Sequence, residues 1–111
     1  MDKKTRPQKL SGSTYQVKTG CGTLYITINE NDGIIFEVFA TMGKAGGCAA
    51  SQIETIGRLI SLGIRTGVSP EAIVKQTMGI SCHSPVPTSE GMIMSCADAI
   101  GKTLKLHLSK E

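Results

Sequence analysis

From Thr14 to Ala40 the chain reads with a period of two. Leu24, Ile26 and Ile28 alternate with Tyr25, Thr27 and Asn29, which gives an extended backbone one apolar face and one polar face. Residues 14–18 and 34–40 carry the same β-branched and aromatic bias, so strands are predicted over 14–18, 24–29 and 34–40. Asn31-Asp32-Gly33 separates the last two. That tripeptide accepts positive φ and closes a tight hairpin, so the three strands form an antiparallel meander. After the glycine-rich stretch 43–47 the period becomes helical: Ile53, Ile56, Ile60 and Ile64 share one face of a helix over about 48–65, stopped by Gly67. Ser51 and Glu54 have capping-box spacing, and a start one turn earlier is the alternative. Ser69-Pro70-Glu71 supplies an N-cap, a first-turn proline and a first-turn acid, which predicts a second helix over 70–78, ending at Gly79.

Residues 81–94 carry Ser84, Pro85, Pro87, Ser89 and Gly91 and read as a loop. Ser95 and Asp98 then form a second capping-box pair, opening a terminal helix with Ile100, Leu104 and Leu108 on its buried side. Strands first and helices afterwards predict an α+β fold, with a three-stranded antiparallel meander covered on one face by helices. A chain of 111 residues supports one core. Residues 1–13 read as a flexible, basic, solvated arm, and 14–111 as the single domain.

Composition sharpens this picture. Aromatic residues make up only 4% of the chain, so the core must be built from Ile, Val, Leu and Met. The net charge of +3 comes from the arm: Lys3, Lys4, Arg6, Lys9 and Asp2 fall in the first ten positions, and the remaining basic and acidic residues balance. A neutral body argues against nucleic acid, whose phosphates require clustered Lys and Arg. No apolar run reaches the length of a signal-peptide core or a membrane span, so a cytoplasmic protein with no membrane partner is expected.

Four cysteines remain, and in a reducing compartment they point to metal, reactive thiols or plain burial before disulfides. No Cys-x-x-Cys pair occurs. Each of Cys21, Cys48, Cys82 and Cys96 falls at the end of a predicted element, where a cysteine serving only as a small hydrophobe has no reason to sit. Cys48 and Cys96 open helices, where the dipole is expected to lower a thiol's pKa. Four thiolates around Zn²⁺ make a closed structural site, and the same set holds an iron–sulfur cluster. Glycines beside Cys21 and before Cys48 let backbone approach such a centre. A shared metal site, inert thiols and redox-active thiols all stay open on these grounds. His83 adjoins Cys82 as a secondary ligand candidate. His107, near the last helical turn, reads as a cation complementing the dipole, and the methionines read as filler. The glycines of 43–47 lack a following Lys-Ser/Thr, which argues against a phosphate cradle.

The segments Val17-Lys18-Thr19-Gly20-Cys21-Gly22-Thr23-Leu24-Tyr25, Phe36-Glu37-Val38-Phe39-Ala40-Thr41-Met42-Gly43-Lys44-Ala45-Gly46-Gly47-Cys48 and Ser95-Cys96-Ala97-Asp98-Ala99-Ile100 resemble the TSCPD domain. That domain is found at the C-terminal end of adenosylcobalamin-dependent ribonucleotide reductases and as short stand-alone proteins. In the motif that names it, this chain has Met94 for the Thr and Ala97 for the Pro, and keeps Ser95, Cys96 and Asp98. A more distant resemblance is to NifU-type iron–sulfur scaffolds, whose three cysteines match Cys21, Cys48 and Cys96. There the scaffold's acidic residue is Thr23, and the His before its last Cys is Ser95. The resemblance implies a NifU-like fold and a fourth ligand in Cys82.

It also implies a non-catalytic, zinc-binding accessory module, with Cys21, Cys48, Cys82 and Cys96 as ligands and His83, Thr23 and Ser95 as secondary candidates. A ribonucleotide reductase catalytic chain or a second copy of this chain is the implied partner. The chain has no room for the reductase's own active site. A thiol redox or iron–sulfur carrier is the alternative implied role.

Overall fold

The computed structural model describes residues 2–43, 47–89 and 91–110. Three strands, β1 (Ser11–Thr19), β2 (Gly22–Asn31) and β3 (Ile34–Met42), form an antiparallel sheet in that order. They are followed by α1 (Gly47–Arg65), α2 (Pro70–Thr77), a small antiparallel hairpin β4 (Val86–Thr88) and β5 (Gly91–Ile93), and α3 (Cys96–Ser109). The expected α+β meander with helices behind it is therefore present. Leu24, Ile26 and Ile28 of β2 are fully buried, because both neighbouring strands and the helix layer enclose the inward side of the central strand.

Asp32 and Gly33 both take positive φ, 53° and 78°, the backbone of a two-residue turn whose twist matches its strands. A register shift at Asn29/Glu30 places Asn29 opposite Glu37 and Glu30 opposite Ile35, so Phe36 is the extra residue of a β-bulge. Against the inner face, Ile53, Ile60 and Ile64 of α1 and Ala99, Ile100 and Leu104 of α3 close a single core. Ser61 of α1 both donates to the Val38 carbonyl (2.8 Å) and accepts from its N–H (2.9 Å). One helix side chain thereby satisfies backbone groups that an edge strand would otherwise present to another chain.

Two expectations are corrected. The segment 81–94 is not wholly a loop, since three residues on each side of the Thr88–Gly91 turn pair as β4 and β5; the prolines hid strands too short to show a period. The first strand begins at Ser11, inside the expected arm, because pairing with 28–30 extends it beyond its apolar residues. The residues before it are also held. The Lys4 N–H donates to the Arg65 carbonyl at 2.9 Å, and Arg6 forms a two-pronged ion pair with Glu37 at 2.9 and 3.0 Å. Residues 4–6 of the expected arm thus lie against α1 and β3. Within the glycine-rich stretch, residues 44–46 lie outside those described. Among the described residues no helix is long and apolar enough to cross a membrane.

Candidate functional site

The cysteines approach one end of the sheet from separate elements. Gly20 and Cys21 form the whole connection between β1 and β2. β3 ends at Met42 opposite Leu24, so α1, with Cys48 in its first turn, starts from the same end. Cys96 is the first residue of α3, and Cys82 lies in the segment that leads into the β4–β5 hairpin.

Thr19 organises the meeting point. Its hydroxyl donates to the Gly22 carbonyl (2.8 Å), accepts from the Cys21 N–H (3.2 Å) and accepts from the Cys96 thiol (3.5 Å). One hydroxyl, with its single donor and two acceptor positions all in use, therefore fixes the turn and locates one cysteine relative to another. Cys82 is set by a separate ladder: its N–H donates to the Met94 carbonyl (2.9 Å), and Ser95 donates to the Ile80 carbonyl (2.5 Å). The Ser84 N–H then donates back to the Cys82 sulfur at 3.3 Å, the kind of N–H···S contact that supports charge on a ligating sulfur.

Burial pushes the Cys96 thiol above its ordinary pKa; contact with the Thr19 hydroxyl offsets part of this, while the neighbouring Cys21 and Cys82 sulfurs push it up again. The sequence had suggested a thiol lowered by the helix dipole. That expectation is corrected for Cys96, because desolvation and like-charged neighbours outweigh a dipole that acts only over the first turn.

Asp98 anchors the helix start. The Ser95 hydroxyl accepts from the Asp98 N–H (3.0 Å), as an N-cap should. The reciprocal half of the box is altered: the buried Asp98 carboxylate accepts from Gly79 (2.7 Å) and Met94 (2.9 Å) N–H groups and pairs with Lys102 (2.8 Å). Burial alone would raise its pKa, but these donors and the Lys102 charge hold it below the usual carboxylate value. Asp98 thus ties the end of α2 and the approach to α3 into one unit behind Cys82 and Cys96. The Ser51–Glu54 pair, by contrast, forms no cap. Ser51 lies inside α1 and donates to the Cys48 carbonyl, as the earlier helix start requires.

The donors fit a soft cation in kind, since thiolates suit Zn²⁺ and iron–sulfur centres. In arrangement, the Cys21 and Cys82 side chains both act on the Cys96 thiol. Cys48 is exposed and does not act on the Cys96 thiol as they do. Among the described residues no set of three or more Cys, His, Asp and Glu side chains is closed around a point able to hold an ion. Of the secondary candidates, His83 is exposed, Ser95 has its hydroxyl taken up by the cap, and the Thr23 carbonyl accepts the Gly43 N–H at 2.7 Å.

Two groups have roles that the sequence reading did not give them, His107 being a buried bridge between strands rather than a cation set only against the helix dipole. Thr19 carried no signal, being one threonine among many at a strand end. His107 is buried and bridges the Tyr15 hydroxyl (2.7 Å, at Nδ1) and the Glu30 carboxylate (2.5 Å, at Nε2). Its partners lie on two strands far away in the chain, which only the register brings together.

A family model described as the TSCPD domain matches residues 1–108. No curated protein and no solved structure matches the chain.

Proposed function

Because the chain belongs to the TSCPD domain family, we propose that it is a non-catalytic accessory module of the ribonucleotide-reductase type that binds one zinc ion through cysteine thiolates. Cys21, Cys82 and Cys96 supply three ligands, and Cys48, entering from α1 at the same end of the sheet, supplies the fourth. The observation that carries this reading is the Thr19 hydroxyl, which accepts from both the Cys21 N–H and the Cys96 thiol and so links cysteines of two separate elements. Thiols pressed together repel one another as thiolates, and a divalent cation converts that repulsion into attraction. When bound, zinc would act as a structural cross-link, contributing on the order of 10–16 kcal/mol in small sites of this kind. The partner is a ribonucleotide reductase catalytic chain.

Quantifying zinc in the four single Cys→Ser variants tests the ligand set. The proposal expects each variant to lose metal. Full zinc in the Cys48 variant would remove that residue from the set, and full zinc in the Cys21, Cys82 and Cys96 variants would refute the site.

A second reading, thiol redox or iron–sulfur carriage, is favoured by the Thr19 hydroxyl, which accepts from both the Cys21 N–H and the Cys96 thiol. Such a pair, once its sulfurs meet, passes from dithiol to disulfide when another disulfide accepts the two electrons and two protons. A brown chromophore, or a disulfide that cycles with dithiol reductant, would support this reading over zinc.

A further inference from the structure

The two edges of the sheet are finished differently. At β3 the edge is closed, since Ser61 takes both backbone groups of Val38. Those groups therefore point away from β2, so Ile28, which lies opposite Val38, turns its own N–H and carbonyl toward Ser13 of β1. The Thr23 carbonyl, an odd number of residues away on β2, accordingly faces the other side and accepts from Gly43. Alternation along β1 then commits Ser13, Tyr15 and Val17 to β2 and turns the backbone groups of Thr14, Gln16 and Lys18 outward. Among the described residues these outward groups have no backbone partner. Little in β1 blunts this edge. It runs nine residues, Ser11–Thr19, without a proline or a break in register, and its single charge, Lys18, lies near one end, whereas edges that must stay single are short, bulged, charged or proline-bearing. Beside it a groove of about 740 Å³ reaches α3 and the β4–β5 hairpin, and both Gln16 and Lys18 line it.

We infer that the outer edge of β1 pairs with an extended, acidic segment of a partner protein, which adds a fourth strand to the three-stranded sheet. Hydrogen bonds to the backbone of Thr14, Gln16 and Lys18 supply the pairing, as in other strand-addition complexes. Charge selects the occupant. The ionisable groups along the groove are Tyr15 and the lysines 18, 102 and 105, with no carboxylate, and of these lysines only Lys102 is in an ion pair among the described residues. Their summed field favours an acidic strand wherever along it the carboxylates fall. A second copy of β1 fits poorly, because from Lys3 to Asn29 the chain carries cations and no carboxylate, and pairing two such edges sets like charge beside like.

Amide hydrogen exchange of the full chain, read residue by residue by NMR, tests this with an end-blocked heptapeptide of alternating Glu and Val as the probe. In the free chain the Thr14, Gln16 and Lys18 amides should exchange fast and those of Tyr15 and Val17 slowly; saturating peptide should slow the first set at least about tenfold. Methylating the backbone nitrogens of the Glu residues in one analogue, and of the Val residues in another, should abolish binding in only one of the two, since an added strand offers a single edge to β1. The counterpart with Lys in place of Glu should bind at least about tenfold more weakly at low salt. Slow exchange of Thr14, Gln16 and Lys18 in the dilute free chain, no slowing with peptide, equal effects of the two methylations, or equal binding of the Lys counterpart would each overturn the inference. Protection that grows with chain concentration in the absence of peptide would put a second copy on the edge and overturn it as well. None of these outcomes depends on whether the cysteines hold zinc.

Discussion

Gly20 lies so close against Ser84 that a Cβ at position 20 would stand 1.9 Å from the Ser84 carbonyl oxygen. No side chain fits there. The contact presses the Gly20–Cys21 turn onto the segment that carries Cys82, so the bare backbone of one residue helps bring two cysteines together. Gly20→Ala should force the turn and the 82–84 segment apart while leaving the core in place. The expected outcome is lower zinc content and faster maleimide labelling of Cys96, with far-ultraviolet circular dichroism unchanged. Labelling at the parent rate would mean that this close approach does not shape the site.

Asp98 satisfies two backbone N–H groups from inside the protein. Asp98→Ala leaves both unpaired and removes the charged partner of Lys102, so it should destabilise the fold by about 3 kcal/mol. Asp98→Asn keeps one acceptor and should cost about half as much. Urea denaturation measures both, and equal, small losses would contradict the anchoring role.

The strand and helix order was legible because Leu24, Ile26 and Ile28 alternate, and Ile53, Ile60 and Ile64 repeat, in registers that only one face of each element can bury. Asp32-Gly33 and Ser69-Pro70 were legible because their turn and cap chemistry is local. β4 and β5 were not, since strands of three residues show no period and Pro87 argues against one. All four cysteines stood out by their positions at the ends of elements. What the sequence concealed was long-range: the Gly20–Ser84 approach, Thr19 as the link between Cys21 and Cys96, and the desolvation that raises the Cys96 thiol. These depend on how elements dock, which no window of neighbouring residues encodes. The Arg6–Glu37 pair was hidden for the same reason, and a charge-rich terminus read as solvated.

Glu37 gives that pair a signature in acid. Burial alone would raise its carboxyl; hydrogen bonds from Arg6 and Asn29, with the charges of Arg6 and Arg65, outweigh burial and hold it below its ordinary 4.5. A carboxylate with a depressed pKa stabilises the fold above that ordinary value, and the contribution fades as the pH falls through the lower folded-state value. Stability should therefore decline on acidification below about 4.5, the ordinary carboxyl value, and this component should vanish in Glu37→Gln. Parallel stability curves for the parent and the variant would show that the pair does not act this way.

Tyr15, His107 and Glu30 join β1, α3 and β2 through one imidazole. Tyr15→Phe removes one hydrogen bond and should cost about 1 kcal/mol, and His107→Ala should cost more because it breaks the bonds to both neighbours. The double variant should lose less than the sum of the two, since both changes break the same bond. Strict additivity in thermal unfolding would place the stabilisation elsewhere.

The central claim, that cysteines distant in sequence share one zinc ion, is tested most directly by native mass spectrometry of the full chain purified without oxygen. The account predicts a chain carrying a single zinc that a chelator removes, with the loss of metal loosening the fold. A chain of bare mass, or one lighter by two hydrogens from a disulfide, would contradict it.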